Sequence, residues 1–206
     1  QRNVITGTGF FSSIINGRDN IIYNNGSNGS PFIGNGSGNT ILGSDVSFSF
    51  IGNGLNNFIS SKNSFIGSGN KLSATSVYSV SLNGIRNISR QTYSTTLNGI
   101  DNYNSGQFST IINGSSNFIG NSTKYAFING KRNVFSGVGV SFGFVNGSAN
   151  TVTDFFGTAF GLRNTVSGRY SSILAGKNYT LTASSTALVG GMVIKSAPFG
   201  GSYLLT

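Results

Sequence analysis

A short phrase centred on glycine recurs along this sequence about once every fifteen residues. Examples are SSIINGRDNII at 12–22, STIINGSSNFIG at 109–120 and AFINGKRNVF at 126–135. Taking the glycine of each phrase as an anchor gives twelve positions, separated by 13 to 19 residues: Gly17, Gly36, Gly54, Gly67, Gly84, Gly99, Gly114, Gly130, Gly147, Gly161, Gly176 and Gly191. Internal self-similarity of this kind is the signature of a repeat architecture.

Asparagine holds two fixed positions relative to the anchor. It directly precedes the anchor in eight of the twelve phrases, and Asn-Gly favours a tight turn because both residues tolerate positive φ. Asparagine returns three residues after the anchor in ten phrases: Asn20, Asn39, Asn57, Asn70, Asn87, Asn102, Asn117, Asn133, Asn150 and Asn164. Stacked amides can bond from one coil to the next, so we predict that these residues, apart from Asn70, form an Asn ladder along one turn.

The stretches on either side of each turn predict strands. They are short, rich in β-branched and aromatic residues, and interrupted by glycine too often for a helix. A coil of about fifteen residues has room for two short strands and two turns, and stacked coils pair equivalent strands in parallel about 4.8 Å apart. We therefore predict an all-β fold, a parallel β-roll or β-solenoid of about twelve two-strand coils over residues 1–191.

The two ends of the sequence depart from the pattern. The opening QRNVI matches the second half of a coil, so we expect the chain to be cut from something longer. At the other end the phrase decays, and residues 192–206 are more apolar and contain Pro198, which interrupts regular strand pairing. We predict a cap or a junction to another domain there, since solenoids need protected ends.

The strand before the anchor is apolar on both faces. Its apolar residues come in adjacent pairs, and neighbours on a strand point to opposite sides. A two-strand coil buries only one face of each sheet, so the other face would form a long exposed apolar stripe. We predict that one member of each pair lies in a self-association interface: Ile14-Ile15, Ile111-Ile112, Phe127-Ile128, Phe144-Val145 and Ile173-Leu174.

The repeat S-x-h-h-x-G-x-x-N, where h is apolar, resembles the S-V-A-I-G repeat of the YadA-like heads of trimeric autotransporter adhesins. Related rolls occur in bacteriophage tail fibres and other trimeric fibre tips. The resemblance extends over about residues 1–191 and implies a left-handed parallel β-roll that forms a homotrimer through its inner sheets. This repeat is longer than the family's and uses Phe, Ile and Asn-Gly where the family has small residues, which favours a phage-like or divergent fibre.

Composition argues against an enzyme. The chain has no His, Cys or Glu and only four Asp, and two of these at equivalent turns, Asp19 and Asp101, are five coils apart. That is about 24 Å, whereas paired hydrolytic carboxylates lie about 5–10 Å apart. We predict no catalytic residue, no metal and no cofactor. No run of 18 apolar residues occurs, so we also predict no membrane span.

The net charge of +9 comes from 13 Lys and Arg against four Asp. Six cations lie one or two residues after an anchor, where stacked turns would align them along one edge: Arg18, Arg86, Lys131, Arg132, Arg163 and Lys177. This edge is either a solvated face that opposes aggregation or a stripe for lipopolysaccharide, acidic glycan or another polyanion; nucleic acid is not a favoured partner. Four tyrosines are candidates for sugar stacking or lateral packing: Tyr93, Tyr103, Tyr125 and Tyr170.

The leading functional hypothesis is a structural and adhesive fibre module, extracellular or on a cell or virion surface, that attaches to a host cell or glycan. The alternative is a purely structural subunit of an extracellular filament. Ice binding is a weaker alternative, because it requires a regular Thr array, and TVT at 151–153 and TLT at 180–182 look isolated in the sequence.

Overall fold

The protein is an all-β parallel β-solenoid of about twelve coils, as the computed structural model shows for residues 2–26, 29–136 and 141–190. Two twelve-stranded sheets lie face to face, and the chain alternates between them at every strand. Each strand pairs in parallel with its equivalent in the next coil. The predicted fold class is confirmed. The predicted cap or junction at 192–206 lies outside the described residues.

Sheet A holds the strands that follow the anchors: β1 (Val4–Thr6), β3 (Ile21–Asn24), β5 (Thr40–Gly43), β7 (Phe58–Ile59), β9 (Ser73–Ala74), β11 (Ile88–Ser89), β13 (Tyr103–Asn104), β15 (Phe118–Ile119), β17 (Val134–Phe135), β19 (Thr151–Val152), β21 (Thr165–Val166) and β23 (Thr180–Leu181). Sheet B holds the strands that lead into the anchors: β2 (Ser13–Ile14), β4 (Phe32–Ile33), β6 (Phe50–Leu55), β8 (Phe65–Asn70), β10 (Val80–Ile85), β12 (Thr95–Thr96), β14 (Thr110–Ser115), β16 (Lys124–Lys131), β18 (Ser141–Ser148), β20 (Thr158–Leu162), β22 (Ser172–Lys177) and β24 (Ala187–Val189).

The register of sheet B corrects one anchor. Gly69, not Gly67, pairs with both Gly54 and Gly84. Asn70 therefore does not lie at the ladder position, and Leu72, which is buried, takes that position after Gly69. Sequence reasoning chose Gly67 because Asn70 stands three residues after it. With Gly69 as the anchor, the spacing from Gly54 to Gly114 is a constant 15 residues.

The interior is a thin layer between the two sheets, divided into two apolar clusters. The first runs from Ile22 to Ala74 and the second from Ile111 to Leu181. Between them the inward positions carry four fully buried polar residues: Ser81, Ser89, Thr96 and Asn104. Buried polar groups are costly without hydrogen bonds, and here Asn104 Nδ2 donates to the carbonyl oxygens of Thr95 at 2.9 Å and Ser109 at 2.8 Å.

The apolar pairs of sheet B split between the two faces of the sheet. Five members point into the coil, where all but the partly buried Ile14 are fully buried: Ile14, Ile111, Ile128, Val145 and Ile173. Their neighbours point outward and keep part of their surface exposed: Ile15, Ile112, Phe127, Phe144 and Leu174. The inward residues form one continuous row, since Ile111 pairs with Ile128, but the outward apolar neighbour follows the inward residue at 111–112 and precedes it at 127–128. The outer face of sheet B is therefore an apolar surface that the coil itself does not cover.

Candidate interaction surfaces

The Asn ladder lies inside the coils. Asn102, fully buried, donates from Nδ2 to Asn87 Oδ1 at 3.0 Å, to Asn98 O at 3.3 Å and to Gly114 O at 3.1 Å. In most coils the ladder residue's backbone N–H donates to Oδ1 of the Asn in the preceding coil: Asn39, Asn57, Asn102, Asn117, Asn133, Asn150 and Asn164. Asn20 is the acceptor of the bond from the backbone N–H of Asn39. Asn87 is not in this list because the preceding coil has Leu72, which has no amide oxygen, at the ladder position. The ladder holds coils together and leaves no amide for a ligand.

The anchor glycines make this close stacking possible. Gly99 has a φ of +116°, and a Cβ there would overlap the carbonyl oxygen of Gly114 and lie 2.7 Å from Asn102 Nδ2. Positive φ and close approach of two backbones are the conditions that favour glycine. The recurring Asn-Gly therefore marks the corner where successive backbones come closest.

The outer face of sheet B carries stacked phenylalanines. The rings of Phe32, Phe50 and Phe65 stack with centroids 5.1 Å apart at each step, and Phe127 stacks on Phe144 at 4.6 Å. Val80, Thr95 and Thr110 continue the same row between these groups. At the first coil Ile15 is 72% exposed. The face is thus an apolar strip that runs along the rod.

A second row of aromatic side chains, which we call the aromatic ribbon, borders this face. Its rings stack from coil to coil with centroids 4.6–5.2 Å apart: Tyr78, Tyr93, Phe108, Tyr125, Phe142, Phe156 and Tyr170. All seven have φ between 53° and 58°, a conformation that is unusual for bulky residues. Sequence reasoning did not find the ribbon, although an aromatic residue five or six positions before the anchor in seven successive coils was the available signal.

The four tyrosines predicted as candidates for sugar stacking lie in different surroundings, three in the ribbon and one outside it. Tyr93 and Tyr125 each stack on a ring at either side, so both ring faces are covered. Tyr170 closes the ribbon on Phe156. Tyr103 is not in the ribbon; it lies on the outer face of sheet A and stacks on Phe118. Inner ribbon residues therefore present ring edges, which suits packing against another apolar surface better than stacking on a sugar.

The cations predicted to share an edge do so. Arg18, Lys131 and Lys177 lie in the row directly after the anchors, as the strand register shows. Arg86, Arg132 and Arg163 lie in the next row, each with a φ of 53–55°. Lys71 occupies the same row with a φ of 58° and was missed because the anchor of its coil was misassigned. We call these seven residues the basic corner.

The two acids in this region neutralise only part of the basic corner. Arg86 forms a two-bond pair with Asp101 of the next coil, with Nη2 2.7 Å from Oδ2. The hydrogen bond from Arg86 holds the pKa of Asp101 below its usual value. Arg18 lies 3.7 Å from Asp19. Among the described residues, the remaining five cations have no ion pair, and four of them lie between 131 and 177: Lys71, Lys131, Arg132, Arg163 and Lys177.

The outer face of sheet A holds a cavity of about 290 Å³. Its lining comes from four successive coils: Phe58, Ser73, Thr75, Ile88, Arg90 and Tyr103. Arg90 reaches across one coil, where Nη1 donates to the hydroxyl oxygen of Tyr103 at 2.8 Å. Among these residues only Tyr103 was singled out from the sequence, because the inside and outside of each strand were not yet known.

The Thr-x-Thr segments are not isolated, which corrects the sequence interpretation. Thr151, Thr165 and Thr180 pair in register on sheet A, so Thr165-Val166-Ser167 lies between TVT and TLT. The resulting hydroxyl array spans three coils, about 10 Å along the rod. Tyr103 and Phe118 occupy the same outer row closer to the N-terminus.

Among the residues that the structure describes, no group of three or more His, Cys, Asp or Glu side chains is placed to hold a metal ion. The same residues contain no helix of the length and hydropathy needed to cross a membrane.

Comparison with protein-family models gives no match to this chain, and comparison with curated proteins gives none either.

Proposed function

We propose that this chain is a structural and adhesive module of an extracellular fibre. In this proposal it assembles as a homotrimer through the outer face of sheet B and attaches to an anionic glycan or cell-surface polyanion through its basic corner. The observation that carries the proposal is the apolar outer face of sheet B, since a long exposed apolar strip is typical of an interaction surface.

Symmetric self-association accounts for that strip economically. The phenylalanine rows and the aromatic ribbon run side by side along one flank of the rod. A partner with the same repeat would present matching rows at the same spacing of about 4.8 Å, and another copy of this chain has that repeat. The resemblance to the repeat of YadA-like heads supports three copies around one axis.

The basic corner supports attachment to a polyanion. Lys131, Arg132, Arg163 and Lys177 lie within about 14 Å along the rod, the length of three coil steps, and all are exposed. No carboxylate pairs with them among the described residues. Three chains would present three such groups, so weak contacts would act together at high effective concentration.

The purely structural filament subunit remains the alternative, and it predicts no binding to glycans. Ice binding is not proposed, because the ordered hydroxyl array covers only three coils and aromatic residues replace it elsewhere in the same row.

Two measurements on the same preparation test the proposal. Sedimentation velocity should give a single species with three times the chain mass of 21.5 kDa, and a surface coated with a sulfated polysaccharide should retain it at low salt. A stable folded monomer would refute the trimer, whereas a trimer that binds no anionic surface would favour the structural alternative.

A further inference from the structure

One coil of sheet A has a small side chain at an outward position where the neighbouring coils have bulky ones. In the outward row of this sheet, Phe58 pairs with Ser73, Ser73 with Ile88, and Ile88 with Tyr103. Ser73 is the smallest of the four. Phe58 and Ile88 are two coils apart, about 9.6 Å, so a gap one layer thick remains between them above Ser73. This gap is part of the cavity on the outer face of sheet A.

The gap lies beside the half-buried ring of Phe58. Phe58 makes no ring contact with another aromatic residue in the described part of the chain, and its row neighbours are Thr40 and Ser73. A flat ring of about one layer's thickness would fit between Phe58 and Ile88 and take the place of the missing side chain. The apolar face of a pyranose stacks on aromatic rings in this way, and a cavity near 290 Å³ lies at the small end of ligand clefts.

Polar groups converge on the rim of the same gap. The hydroxyls of Ser73 and Thr75 have no hydrogen-bond partner among the described residues, and both line the cavity. Arg90 uses one N–H for Tyr103 and has no carboxylate within ion-pair distance in the part of the chain that is described. A guanidinium offers five N–H donors in a planar fork that matches a carboxylate, so donors remain for an anionic ligand.

We propose that this cavity binds a pyranose that carries a carboxylate, such as a uronic or sialic acid residue of a glycan. The ring lies between Phe58 and Ile88, its carboxylate accepts hydrogen bonds from Arg90, and its hydroxyls bond to Ser73 and Thr75. The cavity opens on sheet A, on the opposite side of the rod from the proposed trimer face, so it stays accessible in the assembly. The inference deepens the proposed attachment function and rests on it for its biological setting, while the binding itself needs only the folded rod.

The test is titration of the full chain with sodium glucuronate and with glucose, followed by saturation-transfer NMR and calorimetry. Wild type should bind glucuronate at least tenfold more tightly than glucose. Arg90→Gln should abolish that preference. Ser73→Phe, which fills the gap with the missing ring, should weaken binding of both sugars at least tenfold. Circular dichroism spectra should match wild type for both variants, since both side chains face outward.

Matched controls keep the result specific. Arg169→Gln makes the same change in charge at an exposed site outside both the cavity and the basic corner, and Thr165→Phe places a ring in the same outer row of sheet A; both should bind glucuronate like wild type. Equal affinity for glucose and glucuronate, no glucuronate binding at millimolar concentration, or binding indifferent to Arg90→Gln and Ser73→Phe would each overturn the inference.

The outcome is separable from that of the proposed function. A trimer that attaches to polyanions through its basic corner but does not bind glucuronate overturns this inference alone. Conversely, glucuronate binding that depends on Arg90 in a chain that sediments as a monomer supports the cavity and overturns the trimer.

Discussion

Asn117 donates a hydrogen bond from Nδ2 to Oδ1 of Asn102 in the preceding coil, over 3.0 Å. The backbone N–H of Asn117 bonds to the same oxygen at 3.1 Å. Both side chains are buried. One amide oxygen therefore accepts two hydrogen bonds from the next coil. The ladder adds these side-chain bonds to the hydrogen bonds that the backbone already makes between coils.

Truncation of one ladder residue should destabilise the rod. Asn102→Ala removes the donors to Asn87, Asn98 and Gly114. It also leaves the buried backbone N–H of Asn117 without its acceptor, while Asn117 Nδ2 keeps its bond to Gly130 O. Each buried unsatisfied group costs about 1–3 kcal/mol, so we expect unfolding to become easier by about 3 kcal/mol. Asn98→Ala is the control, since Asn98 is exposed; it should cost within about 0.5 kcal/mol. Guanidinium denaturation measures both, and equal losses would contradict the role of the ladder.

A Gly→Ala substitution at an anchor should destabilise the fold more than the same substitution at a glycine with ordinary backbone geometry. Gly99→Ala puts a Cβ against the carbonyl oxygen of Gly114 at a φ of +116°. We expect a loss of at least about 3 kcal/mol, since strain and overlap act together. Gly120 has no such φ, and its nearest atoms would be 3.5 Å from a Cβ. Gly120→Ala should leave the melting temperature unchanged or raise it, and a large fall there would show that glycine content, not anchor geometry, limits stability.

The repeat made the fold predictable, because turn chemistry and strand composition recur with a nearly fixed period. Spacing alone could not fix the fourth anchor. Gly67 and Gly69 are both followed by plausible residues, and only pairing with Gly54 and Gly84 decides between them. A shift of two residues keeps every side chain on its own face, so the hydrophobic pattern did not reveal the error.

The surfaces were less predictable than the fold. An adjacent pair such as Phe127-Ile128 shows that both faces of the strand are apolar but not which residue points inward. The ribbon residues Tyr93 and Tyr125 occupy a left-handed turn that their side chains disfavour, so no local propensity indicated them. The cavity depends on small Ser73 lying between Phe58 and Ile88, which emerges only once the coils are in register.

The trimer proposal predicts that an Asp substitution disrupts assembly on the outer face of sheet B but not on the outer face of sheet A. Phe127→Asp places a carboxylate on the outer face of sheet B, where three copies would be buried without partners at a cost of several kcal/mol. We expect the trimer to dissociate, and sedimentation velocity should detect the separated chains. Phe118→Asp, on the outer face of sheet A, is the control and should sediment like wild type.

Ile111 is not suited to the same test. Ile111 is fully buried inside its coil, so Ile111→Asp acts on the coil interior, and we expect it to unfold the chain at any concentration. If Phe127→Asp sediments like wild type while Ile111→Asp unfolds, the outer face of sheet B is not an interface.

Between pH 2 and pH 8, stability should depend on pH only in the acid part of the range. The chain has no His or Glu and four Asp. The pKa of Asp45 is lowered, first by a hydrogen bond from the Ser47 hydroxyl, and that of Asp101 by its hydrogen bond from Arg86. A lowered pKa in the folded state gives stability that is present above the unfolded value of about 3.9 and is lost as pH falls through the folded value.

Thermal unfolding measured from pH 2 to pH 8 checks this expectation. The midpoint should be flat from about pH 5 to pH 8 and fall below about pH 4, since the unperturbed carboxyl pKa is about 3.9. Asp101→Asn should reduce the fall, because it removes one of the two shifted carboxyls. A transition centred near pH 6 would contradict the assignment.

Reversal of three cations tests the basic corner. Lys131→Glu, Arg132→Glu and Lys177→Glu together should weaken attachment to a dextran sulfate surface at least tenfold at 0.15 M NaCl, by removing favourable contacts and adding repulsion. Arg90 is unchanged in this variant, so any contribution of the cavity is the same in the variant and in wild type. Exposed ionic contacts are screened over about 8–10 Å at physiological salt. Wild-type attachment should therefore decline as NaCl rises, while the trimer, held by apolar packing, should not dissociate.

A second set of three charge reversals distinguishes the effect of the basic corner from the effect of a lower net charge. Lys62, Lys124 and Arg169 lie along the opposite corner, each directly before the left-handed residue of its coil. Reversing them to Glu changes the net charge by the same amount. This control should keep most of the attachment once sedimentation shows an intact trimer. If both triples lose attachment equally, binding follows overall charge and the basic corner is a solvated edge; if only the first does, the corner is the attachment surface.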